Sequence, residues 1–155
     1  MARSVVYLVR HAKAGERDSW VGDDFERPLS QTGWKQARAL GKRLLKKGAT
    51  DLVSSPYVRC TQTLEPLAVA LAVPVHVDER LLEEAGFEGA LELLGEVSDR
   101  AVLCSHGDVI HETLEALARR GMHVKNTPDW RKGTVWVLKR NDGRITSGTV
   151  WPPPT

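Results

Sequence analysis

The chain has 155 residues, 41% of them apolar, the size of one domain (1–155) that buries about two-thirds of its unfolded surface in a single core. With 22 Lys and Arg against 20 Asp and Glu, the net charge of +2 gives no whole-molecule field that argues for nucleic acid or a membrane surface, so any basic site is local. Cys60 and Cys104 are too few for a disulfide framework and read as small apolar residues of a protein from a reducing, cytoplasmic setting.

The first apolar run, SVVYLV (4–9), is continuous and β-branched, as a central strand covered on both faces requires. It is too short for a signal-peptide core or a membrane span, and Arg10 and Lys13 follow at once. Residues 31–47 carry Trp34, Ala37, Gly41, Leu44 and Leu45 at helical spacing, with Ser30 as N-cap and Gly48 as the C′ residue. TDLVSS (50–55) is the next strand. Ser55 and Pro56 read as N-cap and first position of a helix reaching about Leu71, which Pro66 is expected to kink.

PVHV (74–77) predicts a third strand, residues 86–97 a short helix, RAVLCS (100–105) a fourth strand, and Asp108 to Arg120 another helix. GTVWVLKR and RITSGTV flank Asn141-Asp142-Gly143, a hairpin signal, and WPPPT is an extended tail. Strands alternating with helices give an α/β fold: a three-layer sandwich with a central, mostly parallel sheet, helices on both faces, and a C-terminal antiparallel hairpin.

Three predicted strands end in polar residues. Val9 gives way to Arg10 and His11, Ser54-Ser55 leads to Arg59 in a first helical turn, and Ser105 leads to His106, Gly107 and Asp108. Ligands of open α/β sheets bind at the carboxyl ends of strands, so these pieces are predicted to converge. Near a helix start, an arginine fork reinforces an anion site already favoured by free backbone N–H groups. Two arginines with two histidines point to phosphoryl transfer: a neutral imidazole nitrogen attacks phosphorus while cationic donors hold the equatorial oxygens. The scheme needs no metal and no cofactor. The cationic neighbours favour the neutral form of His11, and His106 is a further donor when protonated.

In order along the chain, LVRHAKAG (8–15), RPLSQTGWKQA (27–37), VSSPYVRCTQT (53–63) and LCSHGD (103–108) resemble the histidine phosphatase superfamily, which includes phosphoglycerate mutases and phosphohistidine phosphatases of the SixA type. The resemblance implies a phosphoglycerate mutase-like fold, His11 as the phosphorylated nucleophile, and Arg10, Arg59 and His106 as the phosphate pocket. It adds Arg27, which matches the arginine preceding Pro-Leu in the SixA-type branch. RLLE (80–83) resembles the family's Arg-Leu-x-Glu segment and makes Glu83 the first candidate for general acid. Glu84 is its neighbour in competition, Asp108 serves either as acid or as a helix cap, and a phosphoramidate substrate needs no acid at all.

GDDFERPLS, VRCTQTLEPLA and RKGTVWVL also resemble the histidine-phosphatase half of two-domain Nudix proteins of the MutT type. That resemblance implies a nucleotide substrate, with Arg131 and Lys132 at the mouth of the site and Trp20 or Trp130 stacking on a base. Only 46 residues lie between Arg59 and His106, which leaves no room for a long roof over the site and suits a phosphorylated protein, a nucleotide or a small phosphorylated metabolite.

Other chemistries lack their residues. Neither cysteine is followed five positions later by arginine, no Gly-x-Ser-x-Gly elbow occurs, and His106, Asp108 and His111 do not form a His-Glu-x-x-His pattern. His76 and His123 receive no role. The non-enzyme alternative is a phosphate-binding module, with a phosphomutase as the other enzymatic one. Lys35, Arg38, Lys42 and Lys46 form a basic stripe read as a solvated helix face, which argues against nucleic acid as a partner.

Overall fold

A computed structural model describes residues 2–155. Its frame is a seven-stranded sheet. In chain order the elements are β1 (Arg3–Arg10), α1 (Gln31–Lys46), β2 (Leu52–Ser54), α2 (Val58–Leu71), β3 (Val75–Val77), α3 (Glu88–Glu96), β4 (Val102–Ser105), α4 (Gly107–Arg119), β5 (His123–Val124), β6 (Val135–Asn141) and β7 (Arg144–Trp151). Strand order is β3-β2-β4-β1-β6-β7-β5, with parallel pairing from β3 through β1 and antiparallel pairing of β6 with both β1 and β7.

Alternation along β1 explains the layering, because successive side chains of a strand point to opposite faces. Val6 and Leu8 join a core with Leu94 of α3 and Leu114 of α4, whereas Tyr7 and Val9 join a second core with Leu44 of α1 and Leu64 of α2. The α/β sandwich read from the sequence is therefore observed, with two helices on each face.

Local chemistry accounts for most boundaries. Ser30 Oγ accepts from Gly33 N at 3.0 Å, and Gly48 follows α1 with a φ of +83°. Asp142 and Gly143 both have positive φ, as the two-residue β6–β7 turn requires.

The start of α2 departs from expectation. Ser55 does not cap α2: the helix starts at Val58 with Tyr57 in the cap position, and Ser55 Oγ lies 2.9 Å from His106 Nε2 instead. Pro66 lies inside α2, which reaches Leu71 as expected. The proline sits at the tight crossing with α1, where a Cβ on Gly41 would meet Pro66 Cβ at 3.6 Å and Leu67 N at 3.3 Å. The two-residue strand β5, pairing in parallel with β7, has no sequence signal and was not anticipated.

Candidate active site

β1, β2 and β4 run parallel, so their carboxyl ends lie on one side of the sheet. A cavity of about 720 Å³ opens there, lined by Arg10, His11, Arg27, Arg59, Glu83 and His106 among others. All six sequence candidates are thus brought together. Arg10 pairs with Ser105 across the parallel β1–β4 ladder, which places the ends carrying His11 and His106 side by side, and the two imidazole centroids are 5.6 Å apart.

His11 is buried, and its Nδ1 lies 2.8 Å from the carbonyl of Ala12. A carbonyl only accepts, so Nδ1 carries the hydrogen and Nε2 keeps its lone pair. Burial pushes the His11 pKa well below its ordinary value; the bond to Ala12 opposes this, and the charges of His106, Arg59 and Arg10 act with burial. Burial and the Ala12 contact together favour a neutral ring with its lone pair on Nε2. Ala12 is itself tied down, its N–H donating to Thr63 Oγ1 of α2 at 2.9 Å.

Among the described residues two buried donors, Arg10 Nε and Arg59 Nε, have no hydrogen-bond partner, and neither has His106 Nδ1, whose role as donor or acceptor follows the ring's tautomer. Orphaned buried N–H groups are costly and rare in folded proteins. The side chains that carry these three atoms all line the one cavity, an arrangement that suits an anion with several oxygens. The remaining atoms of the same side chains are anchored: Arg10 Nη1 donates to Trp130 O at 2.5 Å, Arg59 Nη1 to Asp24 O at 3.0 Å, and His106 Nε2 faces Ser55 Oγ. Gly107 is needed beside them, since a Cβ there would meet Arg10 Cζ at 2.8 Å.

The sequence profile of the Histidine phosphatase superfamily (branch 1) matches residues 6–92. The chain belongs to the histidine phosphatase superfamily. An 8-oxo-(d)GTP phosphatase of Mycolicibacterium smegmatis is 39% identical over 155 residues, covering 96% of this chain and 48% of that protein. The chain thus spans about half the length of that relative. Among solved structures, a SixA phosphohistidine phosphatase candidate from Nakamurella multipartitia superimposes with a TM-score of 0.71 at 23% identity, covering 100% of this chain and 97% of the other. A SixA protein histidine phosphatase in complex with tungstate gives a TM-score of 0.72 at 20% identity, covering 97% and 96%. At these identities the two structures establish the shared fold.

Other residues of this superfamily member divide clearly. Glu83 lines the cavity with its Oε1 3.5 Å from Arg59 Nη2. Glu84 has a φ of +66°, a left-handed backbone held by its N–H donating to Asp108 Oδ2 at 2.8 Å. Asp108 is therefore no N-cap: α4 begins at Gly107, His106 occupies the cap position, and the aspartate fixes the loop that carries Glu83.

Arg27 is buried, donating from Nη1 to Gly15 O at 2.5 Å. Lys132 and Trp130 line the cavity, but Arg131 turns to Asp129 and Trp20 donates to Asp23 O, away from the lining. The sequence reading missed Arg17, Lys13 and His111 on the cavity wall, and Asp24 and Ser55 behind it. Ser55 carried a signal, its place at a strand end, that was absorbed by the helix-cap pattern. Among the described residues no group of three His, Cys, Asp or Glu side chains is arranged to hold a metal ion, and no helix is long and apolar enough to cross a membrane.

Proposed function

We propose that the protein is a metal-independent phosphohydrolase that works through a phosphorylated His11 and releases a terminal phosphate from a nucleotide. The observation that carries this is the set of three unpartnered buried nitrogens, Arg10 Nε, Arg59 Nε and His106 Nδ1, on side chains that line the cavity holding His11. Groups held by the fold before substrate arrives need little reorganisation during the reaction, which supports this reading.

In the first step Nε2 of His11 attacks phosphorus, an N–P bond forms, and the bond from phosphorus to the leaving oxygen breaks. Arg10, Arg59, Arg27 and His106 stabilise the equatorial oxygens, and Glu83 supplies the proton that the departing oxygen requires. In the second step water attacks the phosphohistidine from the opposite side, Glu83 takes the proton, and the N–P bond breaks to give phosphate and free His11. Each step inverts phosphorus.

A nucleotide is favoured over a smaller phosphoester by the size of the cavity, about 720 Å³, and by the His111–Trp130 pair on its wall, with ring centroids 4.4 Å apart. The similarity to the Mycolicibacterium protein supports the same choice. Phosphohistidine protein is the second reading, supported by the SixA likeness. The test is phosphate release from nucleoside diphosphates, phosphohistidine peptide and simple monoesters by wild type and His11→Ala. Release by wild type alone is expected, fastest with a nucleotide; equal release by His11→Ala overturns the mechanism.

A further inference from the structure

We propose that Asp24 is a positioning residue that sets the forks of Arg59 and Arg27 for phosphoryl binding, a role that rests on the phosphate reading of the cavity. Asp24 opens a short 3-10 turn, Asp24–Glu26, which Asp23 caps by accepting from Phe25 N at 2.9 Å. The turn is seated on α2 through Phe25 and Tyr57, with ring centroids 4.9 Å apart, and Tyr57 in turn stands 4.7 Å from the His106 ring.

From that fixed base Asp24 divides its acceptors. Its Oδ1 accepts from Arg27 Nε at 2.8 Å and its Oδ2 from Arg59 Nη2 at 3.2 Å, while its carbonyl accepts from Arg59 Nη1 at 3.0 Å. Both terminal nitrogens of Arg59 are thereby drawn to one residue, and the fork is turned so that the buried Nε is left without a partner. Arg59 has a second carboxylate neighbour, Glu83, whose Oε1 is 3.5 Å from the same Nη2. Without Asp24 the fork is free to close on Glu83, which costs the cavity a donor and occupies the candidate proton donor together. Asp24 itself is unsuited to donating a proton. Burial acts to raise its pKa, but the Arg27 hydrogen bond and the charges of Arg59, Arg27 and Arg17 prevail and hold it below the usual aspartate range.

The experiment is calorimetric titration of sodium tungstate, which reads the phosphate site without turnover, into wild type, Asp24→Ala and Asp24→Asn, with kcat, KM and Tm measured on the same samples. A misdirected fork is expected to weaken tungstate about tenfold or more in Asp24→Ala and to lower kcat/KM by a similar factor. Asp24→Asn keeps the backbone carbonyl and one side-chain acceptor, so its affinity is expected to lie between the two at a Tm close to wild type. Tungstate affinity in Asp24→Ala equal to wild type overturns the assignment. If Asp24→Ala does not fold, wild-type affinity in Asp24→Asn overturns it as well. A wild-type protein that binds no tungstate defeats the phosphate reading and this role with it, whereas tight wild-type binding with unaffected variants defeats the role of Asp24 alone.

Discussion

His11 shows how one side chain is prepared by its surroundings. Ala12 O fixes the hydrogen on Nδ1, and burial beside His106, Arg59 and Arg10 keeps the ring neutral. A depressed histidine pKa has a definite sign. Below about 6.5 the unfolded chain takes up a proton that folded His11 refuses, so its contribution to stability is complete above that pH and is lost as pH falls toward the lowered folded value. Denaturant titrations of wild type and His11→Asn between pH 7.5 and 5 should show wild type losing more stability on acidification. The rate of phosphoenzyme formation should not titrate with an ordinary histidine pKa on the acid side. Arg59→Lys keeps the charge but lacks the fork, and it is expected to cost about 2–4 kcal/mol of transition-state stabilisation, read from kcat/KM. The four residues Arg10, His11, Arg59 and His106 were legible because their chemistry coincides with strand ends. Asp24 was not, because one more aspartate in an acidic loop gains meaning only when two distant arginines fold onto it.

Elements place these side chains through close approaches that small residues permit. Gly33, in the first turn of α1, lies so near the 11–14 segment that a Cβ would come within 1.9 Å of Lys13 O. Gly33→Ala must therefore push α1 from the segment that follows His11. It is expected to destabilise by about 1–3 kcal/mol in urea titration and to reduce activity in the fraction that remains folded. The strand-helix alternation was legible because apolar runs and capping residues agree with the final fold at β1, α1, β4 and the β6–β7 turn. What escaped were places where one residue had two local uses. Ser55 satisfies a cap pattern in the sequence, yet its hydroxyl serves His106 across the β2–β4 pair. β5 pairs over two residues, too few to carry periodicity of their own.

At the scale of the whole molecule, a nearly neutral chain sets six of its 22 Lys and Arg residues around the cavity where three strands end. The basic stripe of Lys35, Arg38, Lys42 and Lys46 is exposed on α1, as a solvated face should be, while Arg27 and Arg59 are buried at the cavity. Stabilisation of the transferring group by guanidinium and imidazole donors predicts turnover that is unchanged by EDTA, checked in the phosphate-release assay; a full loss restored by a divalent ion would contradict it. The central claim is covalent transfer to His11. Brief mixing with a labelled phosphoryl donor, quenching in base and peptide mapping measures it directly. An acid-labile, base-stable phosphate is expected on His11 in wild type and none in His11→Ala. Phosphate release without any label on His11, or label on another residue, would contradict it.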